Sequence, residues 1–167
     1  MPRFRIDVAD EQAQMPIDAN RLRRAVRHVL EAEGVVSAVV SVAVVDNATI
    51  RRLNAQYLSH DYATDALSFL LEEKDGRLEG QLVVSAEMAA ARAPEFDWSA
   101  QDELLLYVVH GALHLAGYDD TTPAAAKRMR QRERHYLSEL GVNVDRPAPR
   151  KAAGRAARRR ATGRGTP

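Results

Sequence analysis

The sequence predicts an α+β domain in which helices pack against a small mixed sheet. Three observations predict this class: strand-like and helix-like apolar patterns alternate along the first half of the chain, a hairpin signal joins two of the strands, and three helical patterns follow the hairpin. With 167 residues and a hydrophobic content of 46%, the chain is long enough for one domain with a substantial core. We therefore place a single domain at residues 1–145.

The first half of the chain supplies two strands and two helices. Alternating apolar residues at positions 4–8 predict a short strand, and Asp18 then caps a helix that ends at Gly34. The apolar residues of this helix recur at helical spacing: Leu22, Ala25, Val26, Val29 and Leu30. The β-branched run 38–45 is typical of a central strand, and Asp46 follows it as the cap of a second helix.

A hairpin and a short helix come next. Residues 66–71 and 78–84 read as strands, and Asp75-Gly76 between them is a strong signal for a tight turn. Ser85 is the predicted cap of a helix rich in small residues, which Pro94 closes. The strands of this hairpin complete the predicted sheet.

Two longer helices follow. The first begins at Ser99, whose spacing to Asp102 is that of a capping box, and ends at Gly117; it is apolar nearly all round, which predicts that it is buried. Thr122-Pro123 opens a charged helix that ends at Gly141. On this helix we expect Met129, Tyr136 and Leu140 to pack inward and Arg128, Arg130, Arg132 and Arg134 to stay outside.

Two histidines on the buried helix are the strongest functional signal. His110 and His114 lie four residues apart and so project from one face, where both can reach one metal ion. Asp120, six residues after His114, can supply a third ligand and leave a fourth position for water, as in catalytic zinc sites. Two unrelated core or surface histidines are the alternative. We favour metal binding because an unsatisfied buried polar group costs about 1–3 kcal/mol.

One position argues against a common class of zinc enzyme and leaves hydrolysis of a peptide or small substrate as a minor alternative. Peptidases of the His-Glu-x-x-His type carry their general base directly after the first histidine, and this chain has Gly111 there. The carboxylates of Asp119 and Asp120 are the local groups that can orient or deprotonate a water molecule.

Charge is divided unevenly along the chain. Residues 146–167 hold eight of the 24 basic residues and none of the 23 acidic ones, so residues 1–145 carry 16 basic and 23 acidic residues, a net charge of −7. This Pro-, Gly- and Ala-rich tail has no apolar periodicity, and we predict that it is disordered. Its charge suits contacts with nucleic-acid phosphates, and a solubilising tail without a specific partner is the alternative.

Composition limits the compartment and the possible ligands. The chain has no cysteine, which excludes thiolate metal sites and disulfides, and it has no apolar run long enough to span a membrane. We therefore expect a cytoplasmic protein with no membrane partner.

Several stretches resemble the YbeY family of metal-dependent endoribonucleases, which are ribosomal RNA maturation factors. The segment from His110 to Asp119, His-Gly-Ala-Leu-His-Leu-Ala-Gly-Tyr-Asp, is similar to the family signature. Leu53-Asn54 with Tyr57, Thr64-Asp65-Ala-Leu-Ser-Phe69 and Gly80-Gln-Leu-Val-Val-Ser85 resemble three further family segments. The resemblance covers residues 4–141 and leaves the basic tail outside.

This resemblance implies a zincin-like fold and a metal-dependent hydrolase that trims ribosomal RNA and takes part in ribosome quality control. Ribosomal RNA and the small ribosomal subunit are the implied partners. The mechanistic hypothesis is that one zinc ion on His110, His114 and Asp120 activates water or polarises a phosphoryl oxygen. Asp119 would support the ligands without contacting the ion itself. The facing cleft would be formed by Thr64, Asp65 and Ser68.

Four positions depart from the family pattern. The family has histidine at Asp120, and an anionic ligand makes the ion a weaker Lewis acid. It has arginine at Leu58, where leucine cannot bind phosphate, and aspartate at Gln81. His60 replaces a lysine and either restores some positive charge or is an ordinary loop residue. Two hypotheses follow: an active endoribonuclease, or a ribosome-associated RNA-binding factor that keeps the fold and has lost cleavage.

Overall fold

The computed structural model describes residues 3–144 and 159–162, and its elements follow the predicted order as far as residue 139; the strand at 159–162 was not predicted. The strands are β1 (Phe4–Asp10), β2 (Ser37–Val45), β3 (Ala66–Lys74), β4 (Arg77–Ser85) and β5 (Arg159–Thr162). The α-helices are α1 (Ala19–Ala32), α2 (Asn47–Leu58), α3 (Ala86–Arg92), α4 (Ala100–Leu115) and α5 (Pro123–Glu139), and a 3-10 turn, Ala93–Phe96, follows α3. The predicted α+β class is confirmed.

The sheet is mixed, as expected, with the strand order β1-β2-β4-β3-β5. Strands β3 and β4 form the antiparallel hairpin, whereas β1–β2, β2–β4 and β3–β5 are parallel pairs. Asp75 and Gly76 connect the hairpin with φ angles of 54° and 78°. Two successive positive φ angles are what a tight two-residue hairpin turn requires, so this prediction is confirmed.

All five predicted N-caps are confirmed by their hydrogen bonds. Each cap side chain accepts a hydrogen bond from the backbone N–H three residues later, which satisfies a donor that the helix itself leaves open. The pairs are Asp18 with Arg21, Asp46 with Thr49, Ser85 with Met88, Ser99 with Asp102 and Thr122 with Ala125. At the predicted capping box, the carboxylate of Asp102 accepts a hydrogen bond from Arg21 of α1.

Helix α4 is the centre of the larger core. All of its residues from Glu103 to Leu115 are buried, as its nearly uniform apolar character predicts. It lies on β3 and β4 and contacts α1, α3 and α5. Two glycines allow this close packing: a Cβ on Gly80 would lie 2.8 Å from Leu115 Cδ2, and a Cβ on Gly111 would lie 2.9 Å from Leu82 Cδ2.

Helix α2 packs on the opposite face of the sheet. A second, smaller core cluster forms there from Val45, Ile50, Leu67 and Val83, with Leu58 and Phe69 packed against it. Side chains of a strand alternate between the two faces of its sheet, so Leu82 faces α4 and its neighbour Val83 faces α2. The two faces therefore carry separate sets of residues.

The predicted basic tail, 146–167, falls mostly outside the described residues. Its residues 159–162 form β5, which pairs with β3 from Leu67 to Leu70. The placement of one domain at residues 1–145 stays a prediction. Among the described residues, no helix is both long enough and apolar enough to cross a membrane.

Candidate metal centre

The two histidines of α4 face each other at the buried surface of the helix. His110 and His114 are 2% and 1% exposed, and their Nε2 atoms lie 3.0 Å apart. Their four-residue spacing places them one turn apart on the same side, as predicted. The two nitrogens can therefore contact a single small ion.

Asp120 reaches the same point from the loop that follows α4. Gly117 adopts a φ of 112°, and the N–H of Tyr118 donates to Leu113 O at 3.0 Å, which turns the chain back along the helix. Asp120 Oδ2 then lies 3.6 Å from His110 Nε2 and 3.8 Å from His114 Nε2. The structure thus brings together the three predicted ligands.

The second ring nitrogen of His114 fixes its tautomer. His114 Nδ1 lies 2.9 Å from the backbone carbonyl oxygen of Tyr118, which can only accept a hydrogen bond. Nδ1 therefore carries the proton, and Nε2 presents a lone pair toward Asp120. A carbonyl in this position is a common support for a metal-binding histidine.

Glu133 of α5 favours one tautomer of His110 in the same way. Its Oε2 contacts His110 Nδ1, and its side chain is only 8% exposed. A carboxylate behind an imidazole favours the tautomer with the proton on Nδ1 and makes Nε2 a better ligand. Glu133 was not among the residues predicted from the sequence. Its signal was its place four residues after the buried Met129, on the inward face of α5.

Three acceptor atoms consequently face one another. With both imidazoles neutral, two lone pairs and a carboxylate oxygen lie 3.0–3.8 Å apart, an arrangement that is repulsive unless a proton or a metal ion lies among them. A tetrahedral zinc ion with bonds of about 2.0–2.1 Å places its ligand atoms about 3.3 Å apart. The donor set and its spacing therefore fit a divalent ion with three protein ligands.

Gly111 accounts for the missing glutamate in structural terms. A Cβ at this position would lie 2.9 Å from Leu82 Cδ2 and 3.4 Å from Ser68 Oγ. A glutamate directly after His110 would therefore require the end of the Leu82 side chain to move. The glycine lets α4 and β4 lie close together at this point.

The predicted cleft residues divide into two groups. Ser68 is buried and donates from Oγ to the carbonyl oxygen of Gly111 at 3.3 Å, directly beside His110. Thr64 and Asp65 are also buried, but they lie at the start of β3, where Asp65 Oδ2 is 3.5 Å from Arg92 Nη1. This ion pair was not predicted from the sequence.

Asp119 occupies the loop beside the centre. It is exposed, and its carboxylate accepts hydrogen bonds from the N–H and the hydroxyl of Thr121 at 3.1 and 3.0 Å. These hydrogen bonds lower the pKa of Asp119. In the structure this carboxylate stabilises the turn that presents Asp120, and a role behind the ligands stays a prediction.

Three of the four family departures lie outside the group of metal ligands. Leu58 packs with the apolar cluster under α2, where a leucine has a structural use. Gln81 pairs with Phe69 and Ser41 across the sheet, and by strand alternation it lies on the face opposite α4. The ring of His60 contacts Tyr62, with 5.4 Å between the centroids. Asp120 is thus the departure that changes the centre itself.

Arg132 corrects one expectation for α5. It is half-buried, and its guanidinium donates to Glu33 Oε2 at 2.8 Å and to the hydroxyl of Tyr136 at 3.0 Å. Arg128, Arg130 and Arg134 are exposed, as predicted. The exception arises because Arg132 faces the end of α1 and not open solvent.

Comparison with known proteins agrees with this geometry. A sequence model of the family described as Endoribonuclease YbeY matches residues 7–141. A protein of that name from Salinibacter ruber is 41% identical over 143 residues, which are 81% of this chain and 91% of the relative. A protein of the same name from Chlorobium phaeobacteroides is 41% identical over 125 residues, which are 74% of this chain and 89% of that relative.

A solved structure has the same fold. The solution structure of a Thermotoga maritima protein superposes with a TM-score of 0.58 at 29% identity, and the match covers 82% of this chain and 88% of that one. The matched sequence includes both histidines of α4 and Asp120. The chain therefore belongs to the YbeY family of endoribonucleases.

Proposed function

We propose that this protein is a metal-dependent endoribonuclease that acts in ribosomal RNA maturation and ribosome quality control. The observation that carries the proposal is the group of three acceptor atoms from His110, His114 and Asp120 within 3.8 Å of one another. The name endoribonuclease carried by relatives at 41% identity supports the choice of RNA as substrate.

We propose zinc as the ion, with one per chain. Two imidazoles and one carboxylate form a donor set typical of catalytic zinc, and three protein ligands leave a fourth position open. When bound, the ion supplies Lewis acidity, which polarises a phosphoryl oxygen or makes water a stronger nucleophile. The negative charge of Asp120 offsets part of the charge of the ion and moderates that acidity.

The residues around the centre have distinct tasks in this proposal. Glu133 and the carbonyl of Tyr118 hold the imidazoles in the tautomer that presents Nε2. The hydrogen bond from Ser68 to Gly111 ties β3 to the helix beside the first ligand. Such a fixed arrangement reduces the reorganisation that the reaction requires.

The basic tail is the proposed RNA-binding arm. Residues 1–145 carry a net charge of −7, which repels RNA, whereas residues 146–167 carry eight positive charges. We propose that the tail contacts phosphates of ribosomal RNA on the small ribosomal subunit without reading sequence, and that the protein works in the cytoplasm.

A salt titration tests the role of the tail. Replacing Arg158, Arg159 and Arg160 together by alanine removes three positive charges. If all three contact phosphates of single-stranded RNA, the slope of log K against log salt falls by about 2. An unchanged slope and affinity would contradict the proposed arm.

The binding factor without cleavage is the second candidate. The loss of arginine at Leu58 favours it, whereas the complete set of ligand atoms favours the enzyme. A cleavage assay on single-stranded ribosomal RNA separates them, with untagged wild-type protein compared with His114→Ala. We expect cleavage that stops on chelation and returns with zinc, and no cleavage by the variant. Metal-loaded wild type that binds RNA without cutting it would favour the binding factor.

A further inference from the structure

One carboxylate links three parts of the chain behind the metal centre. Glu33 caps the end of α1, and its side chain is 13% exposed. Its Oε1 accepts a hydrogen bond from the hydroxyl of Tyr118 at 3.0 Å. Its Oε2 accepts from Arg132 at 2.8 Å and from the hydroxyl of Tyr136.

The two carboxylate oxygens of Glu33 lie on the sides of different metal-binding histidines. On the Oε1 side, Tyr118 is the residue whose backbone carbonyl accepts from His114 Nδ1. On the Oε2 side, Arg132 lies next to Glu133 on α5, and Glu133 contacts His110 Nδ1. The carboxylate of Glu33 is thus linked to both groups that orient the imidazoles, the carbonyl of Tyr118 and the carboxylate of Glu133.

The hydrogen bonds of this cluster favour an ionised carboxylate. Burial by itself raises the pKa of Glu33, but hydrogen bonds from Tyr136, Arg132 and Tyr118 outweigh it, so the pKa is lowered. Burial and the hydrogen bond to Glu33 raise the pKa of Tyr136 to about 12. The cluster is therefore an anion held by three donors.

We propose that Glu33 is a positioning residue of the metal centre, because its carboxylate holds both supports of the metal-binding imidazoles. This inference rests on the proposed metal-dependent function. It adds a residue that lies 77 positions before His110 in the sequence and outside contact with the ion. The two arms are separable: Tyr118→Phe removes the hydroxyl on the His114 side, and Tyr136→Phe removes one on the His110 side.

The experiment measures the affinity of full-length, untagged protein for zinc by competition with a chelator. It also records the visible absorption spectrum of the cobalt form, which reports ligand geometry. We expect Glu33→Gln, Tyr118→Phe and Tyr136→Phe to weaken zinc binding about threefold to tenfold, less than the 10–100-fold typical of direct partners. We also expect each variant to alter the cobalt spectrum.

Two matched controls carry the same chemical changes elsewhere. Glu31→Gln removes a carboxylate of α1 that pairs with Arg3 and Arg27. Tyr57→Phe removes the hydroxyl of an exposed tyrosine on α2. Both controls should keep the wild-type zinc affinity and cobalt spectrum.

The outcomes separate this inference from the proposed function. Wild-type protein that binds metal, with Glu33→Gln and Tyr118→Phe folded and indistinguishable from it in both readouts, overturns the inference alone. A loss of thermal stability without a change in either readout also overturns it, because a purely structural role predicts that result. Wild-type protein that takes up neither zinc nor cobalt overturns the proposed function together with the inference.

Discussion

Two buried polar clusters of this protein differ in where their positive charge comes from. The carboxylate of Asp65 lies beside the guanidinium of Arg92, so this pair contains its own cation. At the centre on α4, the facing atoms of His110, His114 and Asp120 are all acceptors. A buried carboxylate beside an arginine has its counter-charge within the protein, whereas a cluster of acceptors gains from an ion supplied from outside.

The cluster of Glu33 belongs to the first kind. Arg132 supplies its cation, and two tyrosine hydroxyls donate further hydrogen bonds to the same carboxylate. Its position behind the metal centre shows how a self-sufficient cluster can support one that depends on an ion. The difference predicts that substitutions in the two kinds of cluster change different observables.

Removing the cation of the self-sufficient pair should have the largest effect on stability. Arg92→Met leaves the carboxylate of Asp65, which is 1% exposed, without the guanidinium beside it. We expect the free energy of unfolding of metal-free protein to fall by about 3 kcal/mol, measured by urea denaturation, with zinc affinity unchanged in the folded protein. Arg51→Met is the control, because Arg51 forms an exposed pair with Asp61. A loss of zinc affinity without a loss of stability would contradict the distinction between the Asp65–Arg92 pair and the metal centre.

The second prediction concerns the carboxylate behind His110. Glu133→Gln keeps the size of the side chain but removes the charge that favours the proton on His110 Nδ1. We expect zinc affinity to fall 10–100-fold. Glu139→Gln is the matched control on α5, since Glu139 pairs with His28 and His135 outside the centre. Equal affinities for the two variants would show that Glu133 does not support the ligand.

The smallest expected effect is a pH dependence. Because the folded-state pKa of Glu33 is lowered, its ionised form stabilises the fold above the ordinary range of glutamate, and this contribution is lost as pH falls through the folded-state pKa. The difference in stability between wild type and Glu33→Gln should therefore be full at pH 7 and shrink below about pH 4.3. Thermal unfolding of the metal-free proteins across this range measures it. A difference that stays constant with pH would contradict the assigned charge state.

The sequence predicted the features that depend on neighbouring residues. The five N-caps, the Asp75-Gly76 turn and the shared face of His110 and His114 follow from local backbone geometry, and each is present. Asp120 could also be predicted, because a single glycine turn brings it back to the helix.

The supporting residues could not be predicted in the same way. Glu133 lies 23 residues after His110, and Glu33 lies 85 residues before Tyr118, so their contacts depend on how α1 and α5 pack against α4. Arg92, at the end of α3, pairs with Asp65, just before β3, and this contact likewise depends on how distant segments pack. No pattern of local spacing specifies such partners.

Elemental analysis of the untagged protein tests the central claim most directly, with His114→Ala alongside. Three ligand atoms around one point predict about one zinc per chain in the wild type and none in the variant. A wild-type protein that remains without metal after incubation with zinc would contradict the metal centre, and with it the proposed hydrolysis of RNA.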